Sequence, residues 1–240
     1  MIMDLFFSSN IQKNTKNLIF SSDESRHIFK ALRKRRGERI RVTNGKGLEW
    51  IGELISLNQN KTEAKKIKST FFEKTPFKIE IAIAPTKKID RIEWLVEKAT
   101  EMGIEKIHFI LTEKSERNKI NIERLKKISI SAIKQSQQFY LPEISELKSL
   151  ELLLSEKKGI EKYIAHCHDI YPKTHLAKLP FNLKPKLLLI GPEGDFTNNE
   201  IMNAVSKGFC PISLGNNRLR TETAAIFAIN ILSTLFYQQK

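Results

Sequence analysis

Leu187-Leu188-Leu189-Ile190-Gly191-Pro192-Glu193-Gly194-Asp195-Phe196 is the stretch from which the rest of the chain is read. An apolar run of this length, halted by turn residues, reads as a strand in the middle of a sheet. Thr197-Asn198-Asn199-Glu200 then opens a helix. Thr197 is placed to cap the free N–H of Glu200, and Glu200 to reach back, which is a capping box. Gly208 supplies the stop. A loop with two glycines and a proline therefore sits between the carboxyl end of a strand and a helix, where open α/β sheets bind ligands. The bare main chain at Gly191 and Gly194 allows close approach. The plain alternative is a tight connection with no ligand.

A second junction has the same form. Ile212-Ser213-Leu214-Gly215 is a short strand ending in glycine, followed by Asn216-Asn217-Arg218-Leu219-Arg220-Thr221-Glu222-Thr223 and a long apolar helix from Ala224. Two strand–glycine–helix corners so close together point to two walls of one pocket. No GxGxxG follows the first strand and no GxxxxGK[ST] occurs, which argues against a Rossmann site and a P-loop.

The chain has 240 residues, enough for one large domain or two small ones. Lys plus Arg number 41 against 27 Asp plus Glu, a net charge of +14. That excess suits a polyanion, nucleic acid before an anionic membrane; a Lys-rich composition is the plain alternative. At 40% hydrophobic the chain has the makings of a packed core. Cys167 and Cys210 stand far apart with no CxxC, so neither a disulfide framework nor a zinc finger is supported. His166-Cys167-His168 looks like a metal cluster, but no further ligand pair lies near it in sequence, and it reads as a strand end; no metal is expected. The absence of a leader pattern and of an apolar run of membrane-spanning length sets the expectation of a cytoplasmic protein.

Residues 1 to about 72 read as a small β-rich unit. Arg26 to Arg33 form a helical turn or two. Arg39-Ile40-Arg41-Val42-Thr43 alternates as a strand, Asn44-Gly45-Lys46-Gly47 turns, and Leu48 to Leu57 returns. Seven cations fall between residues 30 and 41 with Glu38 as the one acid, and phosphate is the counter-charge that would relieve their repulsion. From residue 73 strands and helices alternate: a strand at Lys78–Ala84, a helix from Ile89 to Met102, a strand at Lys106–Leu111, and a helix over Ile122–Ser136. A short helix over residues 146–158, a strand at Lys162–His166 and a loop at Pro172–Pro185 follow. That alternation predicts an α/β fold with a parallel sheet covered on both faces. The last helix, Thr221–Gln238, is apolar nearly all round and must be covered by the sheet and a neighbouring helix, or by a second subunit.

Ile190-Gly191-Pro192-Glu193-Gly194, with Leu214-Gly215 and Leu219-Arg220-Thr221-Glu222-Thr223-Ala224, resembles the RsmE family of small-subunit (16S) ribosomal RNA uridine-N3 methyltransferases in the SPOUT superfamily. His27 to Arg33, Gly37 and Asn44–Gly47 are similar to its amino-terminal part. So are Lys87-Lys88, Glu97–Gly103, Ser115-Glu116-Arg117, Gln135-Ser136 and Leu141-Pro142 to its middle. The resemblance implies a PUA-like RNA-binding β-barrel at 1–72 and a SPOUT methyltransferase domain at 73–240 with a carboxy-terminal trefoil knot. It implies S-adenosylmethionine as cofactor, a homodimer, and small-subunit ribosomal RNA in the assembled 30S particle as partner. Two positions depart from the family pattern: Asp195 stands where a second glycine is usual, and Gln138 lies near where an arginine is usual.

On this reading the cofactor contacts come from Leu189, Ile190, Gly191, Pro192, Glu193, Gly194, Leu214, Gly215, Leu219, Arg220 and Thr221. Arg220 is the candidate for stabilising charge on the target base, with Glu222 as the second catalytic candidate, although a carboxylate at a helix start is a weak base. Arg26, Lys30, Arg33, Lys34, Arg35, Arg36, Arg117 and Gln135 are the RNA-binding candidates. Two alternatives stay open: another SPOUT methylation, at a ribose 2′-O or a different base nitrogen, and a non-catalytic RNA-binding assembly protein on the same fold.

Overall fold

A computed structural model describes residues 3–156 and 159–238. The chain divides into two compact units, one of residues 1–74 with 130–141, the other of residues 75–129 with 142–240.

The first unit is a curled five-stranded sheet. Its strands are β1 (Leu5–Phe7), β2 (Asn17–Ile19), β3 (Arg39–Thr43), β4 (Leu48–Leu57) and β5 (Thr62–Phe71), in the order β1-β3-β4-β5-β2. β3, β4 and β5 are antiparallel neighbours, as the Asn44–Gly47 turn predicts. Two irregularities in the β4–β5 ladder, at Ile51/Gly52 and Leu54/Ser56, accompany the curl. The sheet closes on Trp50, Ile28, Ile40, Val42 and Leu54, all fully buried, and the Trp50 indole N–H donates to the Thr15 carbonyl at 2.9 Å. Three-residue β1 and β2 carry no alternation long enough to read from sequence. Helix α1 (Ser22–Arg26) runs into a π-helical turn at His27–Ala31, and Arg33 ends it at φ +50°. Residues 130–141 belong to this unit through side chains remote in sequence. Arg41 donates to Gln137 at 2.6 Å, Tyr140 to the Phe72 carbonyl at 2.8 Å, and Phe72 stacks on Phe139 with centroids 4.5 Å apart.

The second unit is a seven-stranded parallel sheet. Its strands are β6 (Ile79–Ile83), β7 (Lys106–Leu111), β8 (Glu143–Ser149), β9 (Glu161–Ala165), β10 (Thr174–His175), β11 (Lys186–Ile190) and β12 (Phe209–Ser213). The order is β10-β12-β9-β11-β6-β7-β8, so β11 lies at the centre. Helices α2 (Ile89–Glu101) and α6 (Thr221–Tyr237) share one apolar cluster with Leu188 and Ile190, while α4 (Leu150–Glu156) and α5 (Asn198–Ser206) share the other with Leu187 and Leu189. The unbroken apolar run thus alternates into two cores. The predicted capping box is present: the Glu200 N–H reaches Thr197 Oγ1 at 3.3 Å, and the Thr197 N–H reaches Glu200 Oε2 at 2.8 Å. α6 is covered by the sheet and α2 along Ala225, Ala228, Ile229 and Leu232, while Phe227 stays 40% exposed. Helix α3 (Ile122–Gln135) begins in this unit, where the Ser129 and Thr100 hydroxyls meet at 3.4 Å. Among the described residues no helix is long and apolar enough to cross a membrane.

Two readings need correction. The helix predicted over 146–158 is strand β8 followed by α4, with residues 157 and 158 outside the described residues. Ile144 and Leu147 are three apart, a helical spacing. A register shift in the β7–β8 ladder between Ile107 and Phe109 accompanies their packing into the same core. The loop predicted at 172–185 contains β10 and a short 3₁₀ turn at Leu176–Lys178, too brief to leave a periodic signal.

Candidate active site

Three parallel strands end level with one another. Ala165 of β9 pairs with Ile190 of β11 on one side and with Ile212 of β12 on the other. Three loops leave these ends, at 166–173, 191–197 and 214–220, and they enclose a cavity of about 620 Å³, within the usual range for small-molecule sites. The two glycine corners therefore share one cleft, with the β9 loop as a third wall.

Of the cofactor residues expected from sequence, Ile190, Gly191, Pro192, Glu193, Leu214, Gly215, Leu219, Arg220 and Thr221 line this cavity. Leu189 does not: it alternates into the α4–α5 core and is fully buried there. Gly194 does not line it either; its carbonyl accepts from Lys114 Nζ at 3.0 Å. The two corner glycines serve different needs. A Cβ on Gly191 would lie 3.1 Å from the buried Phe196 ring, so glycine there lets the loop fold onto its own side chain. Gly215 has φ +131° and nothing within 4 Å of a Cβ, so its constraint is the backbone.

Arg91 lines the cavity and was not singled out from sequence. It lies between two carboxylates, with Nη1 3.7 Å from Glu193 Oε1 and Nε 3.5 Å from Glu222 Oε1. Glu193 Oε1 also accepts from the Lys87 N–H at 3.1 Å. The Gly-Pro-Glu-Gly loop, the first turn of α2 and the first turn of α6 are thereby tied at one point. Glu222 is 6% exposed and absent from the cavity lining, and among the described residues its Oε2 has no hydrogen-bond partner. Arg220 is exposed at the cavity as the residue preceding α6 and makes no side-chain cap.

Asp195 occupies a left-handed backbone position, φ +60°. Glycine meets this backbone without strain; this chain meets it with an aspartate. Asp Oδ1 accepts from the Phe196 N–H at 2.8 Å, and Oδ2 from the Cys167 N–H at 2.7 Å. Asp tolerates the left-handed region through such local bonds, and the second bond holds the β9 loop against the Gly-Pro-Glu-Gly loop. Burial pushes the neighbouring Cys167 thiol up, and the Asp195 charge adds to it. The reading of His166-Cys167-His168 as a strand end needs a small correction: β9 stops at Ala165 and the three residues open the loop that follows it. No group of metal-holding side chains occurs among the described residues.

The lining suits an amphipathic nucleoside-sized ligand. Ile190, Leu214, Leu219 and Ala224 are apolar, main-chain groups border them, and a buried imidazole at His166 has no partner on either nitrogen. Arg91, Lys173, Arg218 and Arg220 outnumber Glu193 and Asp195 around the rim, which favours an anionic polymer approaching it.

The RNA-binding candidates divide. Arg26, Lys30, Arg33, Arg35 and Arg36 are exposed on α1 and the turns after it, and Gln135 is exposed at the end of α3. Lys34 lies 3.1 Å from Asp4 and 3.6 Å from Glu38, and Arg41 lies 2.7 Å from Glu49, so two of the seven clustered cations are neutralised within the protein. Arg117 spends its guanidinium on the carbonyls of Thr86 at 3.1 Å and Lys87 at 2.6 Å, bracing the loop before α2.

Comparison with known proteins agrees with this geometry. A family profile described as an RNA methyltransferase domain matches residues 73–233, and one described as an RNA methyltransferase PUA domain matches residues 20–67. Ribosomal RNA small subunit methyltransferase E of Rickettsia conorii is 28% identical over 94% of this chain and 92% of its own length. A structure of a probable rRNA-methyltransferase from Porphyromonas gingivalis superposes with a TM-score of 0.92 at 33% identity, covering 99% of this chain and 100% of that one. The ribosomal RNA small subunit methyltransferase E of Neisseria gonorrhoeae, solved bound to S-adenosyl methionine, superposes with a TM-score of 0.86 at 25% identity over 98% of both chains.

Proposed function

We propose, for a chain that belongs to the RNA methyltransferase family of ribosomal RNA small subunit methyltransferase E, that it methylates N3 of one uridine in small-subunit ribosomal RNA, using S-adenosylmethionine. The observation that carries the reading is the single cleft enclosed by the Gly191 and Gly215 corners beside Arg220. The cofactor supplies an electrophilic methyl on a sulfonium. The residues of this chain do the rest. Main-chain groups at 190–191 and 214–215 and the apolar faces of Leu214 and Leu219 hold and orient the donor. Uracil N3 lies between two carbonyls and is a poor nucleophile until its proton leaves, which puts negative charge on the ring oxygens. Arg220 stabilises that charge, and the amino-terminal end of α6 adds its dipole.

Glu222 is assigned a positioning role: it is buried, faces Arg91 at 3.5 Å and is set back from the cavity. The proton leaves to water. The target uridine is unstacked to expose N3. The amino-terminal unit, with Arg26, Lys30, Arg33, Arg35 and Arg36 exposed, grips structured RNA by backbone and shape. The boundary at residue 72/73, a trefoil knot formed by β11, α5, β12 and α6, a homodimer using the open face of α6, the 30S particle as substrate and a cytoplasmic location are parts of the same proposal.

The test is incubation with labelled cofactor and either free or 30S-assembled ribosomal RNA, followed by nucleoside analysis. The expected product is 3-methyluridine; label on a ribose or another base nitrogen, or none, overturns the reading. Arg220→Ala is expected to slow single-turnover methylation by roughly 10²–10³-fold. An unchanged rate removes Arg220 from the chemistry.

A further inference from the structure

Among the described residues, His166 is the cavity-lining side chain whose buried polar atoms are left without a hydrogen-bond partner. It follows Ala165 at the carboxyl end of β9, between the strands that launch both glycine loops. It lines the cavity at 8% exposure, and neither Nδ1 nor Nε2 has a hydrogen-bond partner. The His168 main chain lies near the ring but meets neither nitrogen with hydrogen-bond geometry. Burial first, and then the Lys173 charge, push the His166 imidazole below its ordinary range, against the pull of Asp195. At neutral pH the ring therefore offers one donor and one acceptor. Buried polar groups are rarely left in that state, and each exception asks for a partner.

We propose that His166 recognises the nucleoside half of bound S-adenosylmethionine, its imidazole exchanging a hydrogen bond with an uncharged polar group there. This rests on the cofactor reading above and extends it to a residue that reading does not use. The methionine half carries an ammonium, a carboxylate and the sulfonium. Charged partners for those groups stand on the lining at Glu193, Arg218 and Arg220, none of which acts on the His166 ring. A neutral imidazole on a buried floor suits a hydroxyl, which gives or takes a hydrogen bond and brings no charge into a desolvated place. A lone water would also satisfy the ring, but it would leave cofactor affinity unmoved when His166 is replaced.

The experiment is calorimetric titration of the full chain, wild type, His166→Ala and His166→Gln, with two probes. S-adenosylhomocysteine carries both halves of the cofactor; 5′-methylthioadenosine lacks the amino-acid half. His166→Ala is expected to weaken both by roughly tenfold. His166→Gln, which keeps a donor and an acceptor, should recover part of that loss with an unchanged ligand-free melting temperature. Equal binding of both probes by wild type and His166→Ala overturns the inference. So does a loss confined to S-adenosylhomocysteine, or a fall in ligand-free melting temperature with affinity intact. If the wild type binds neither probe, the cofactor reading itself falls and takes this inference with it.

Discussion

Replacing Asp195 separates the backbone from the side chain at a loop position whose left-handed backbone suits glycine. The residue sits at φ +60°, where an L-residue other than Gly, Asn or Asp costs about 1–2 kcal/mol. Its carboxylate accepts the Cys167 N–H at 2.7 Å and the Phe196 N–H at 2.8 Å, with a side chain 13% exposed. A hydrogen bond contributes about 0.5–1.5 kcal/mol net, so the two together contribute about 2 kcal/mol. Asp195→Ala loses the bonds and the tolerance of the left-handed backbone, and should destabilise the second unit by about 3 kcal/mol. Asp195→Gly loses the same bonds but relieves the backbone, leaving a loss of about 1–2 kcal/mol. Asp195→Asn keeps the backbone tolerance and a neutral acceptor, and should fall between wild type and Asp195→Gly. At roughly 2–4 °C per kcal/mol for a unit of this size, the alanine variant should melt about 6–12 °C low. Thermal unfolding followed by circular dichroism orders the four proteins. Alanine as stable as glycine would refute the backbone argument. Glycine as stable as aspartate would show that the Cys167 latch contributes nothing.

Three further outcomes are expected. Glu161 is held at about 2: burial pushes it up, but hydrogen bonds from Lys186, Tyr163 and Asn182 outweigh that. A carboxylate with a depressed folded-state pKa contributes stability that is complete above its unfolded value near 4.5 and is lost as pH falls toward 2. The loss is on the order of 3 kcal/mol, and urea titrations from pH 6 to pH 2 should show a flatter profile for Glu161→Gln. Arg91→Ala should cost about 2–3 kcal/mol, less than a fully buried pair because Arg91 is 26% exposed. It should also lower kcat/KM by tenfold or more, since Glu193 and Glu222 lose their common anchor; an unchanged kcat/KM would show that the tie is not needed for catalysis. Arg35→Ala with Arg36→Ala should reduce the slope of log affinity for ribosomal RNA against log salt by about 1–2 units, while a nearby control, Lys34→Ala, changes it less because Lys34 is already paired with Asp4 and Glu38.

What could be read ahead of the coordinates was local: periodicity, caps and corners. The Leu187–Ile190 run, the Thr197 capping box and the two glycine corners declare themselves within a few residues, and with them two of the three walls of the cleft; the third, the loop after β9, does not. What stayed hidden depends on pairs far apart in the chain. Arg91 gains its meaning from carboxylates at 193 and 222, and Asp195 from an N–H at 167. The segment 130–141 belongs to the first unit through Arg41, Phe72 and Glu24, none of which its own helical period reveals. The partners of Lys34 and Arg117 are hidden for the same reason: a cation in a basic stretch looks free until its acceptors, Asp4 or the carbonyls of Thr86 and Lys87, are brought to it. His166 inverts that logic. Its neighbours in sequence suggest a metal, its neighbours in space offer neither nitrogen a bond, and only the cavity remains as the source of one. Asp195 combines the two: it takes a left-handed turn that suits glycine and uses its side chain to tie the Gly-Pro-Glu-Gly loop to the β9 loop, a bond glycine has no atoms to make.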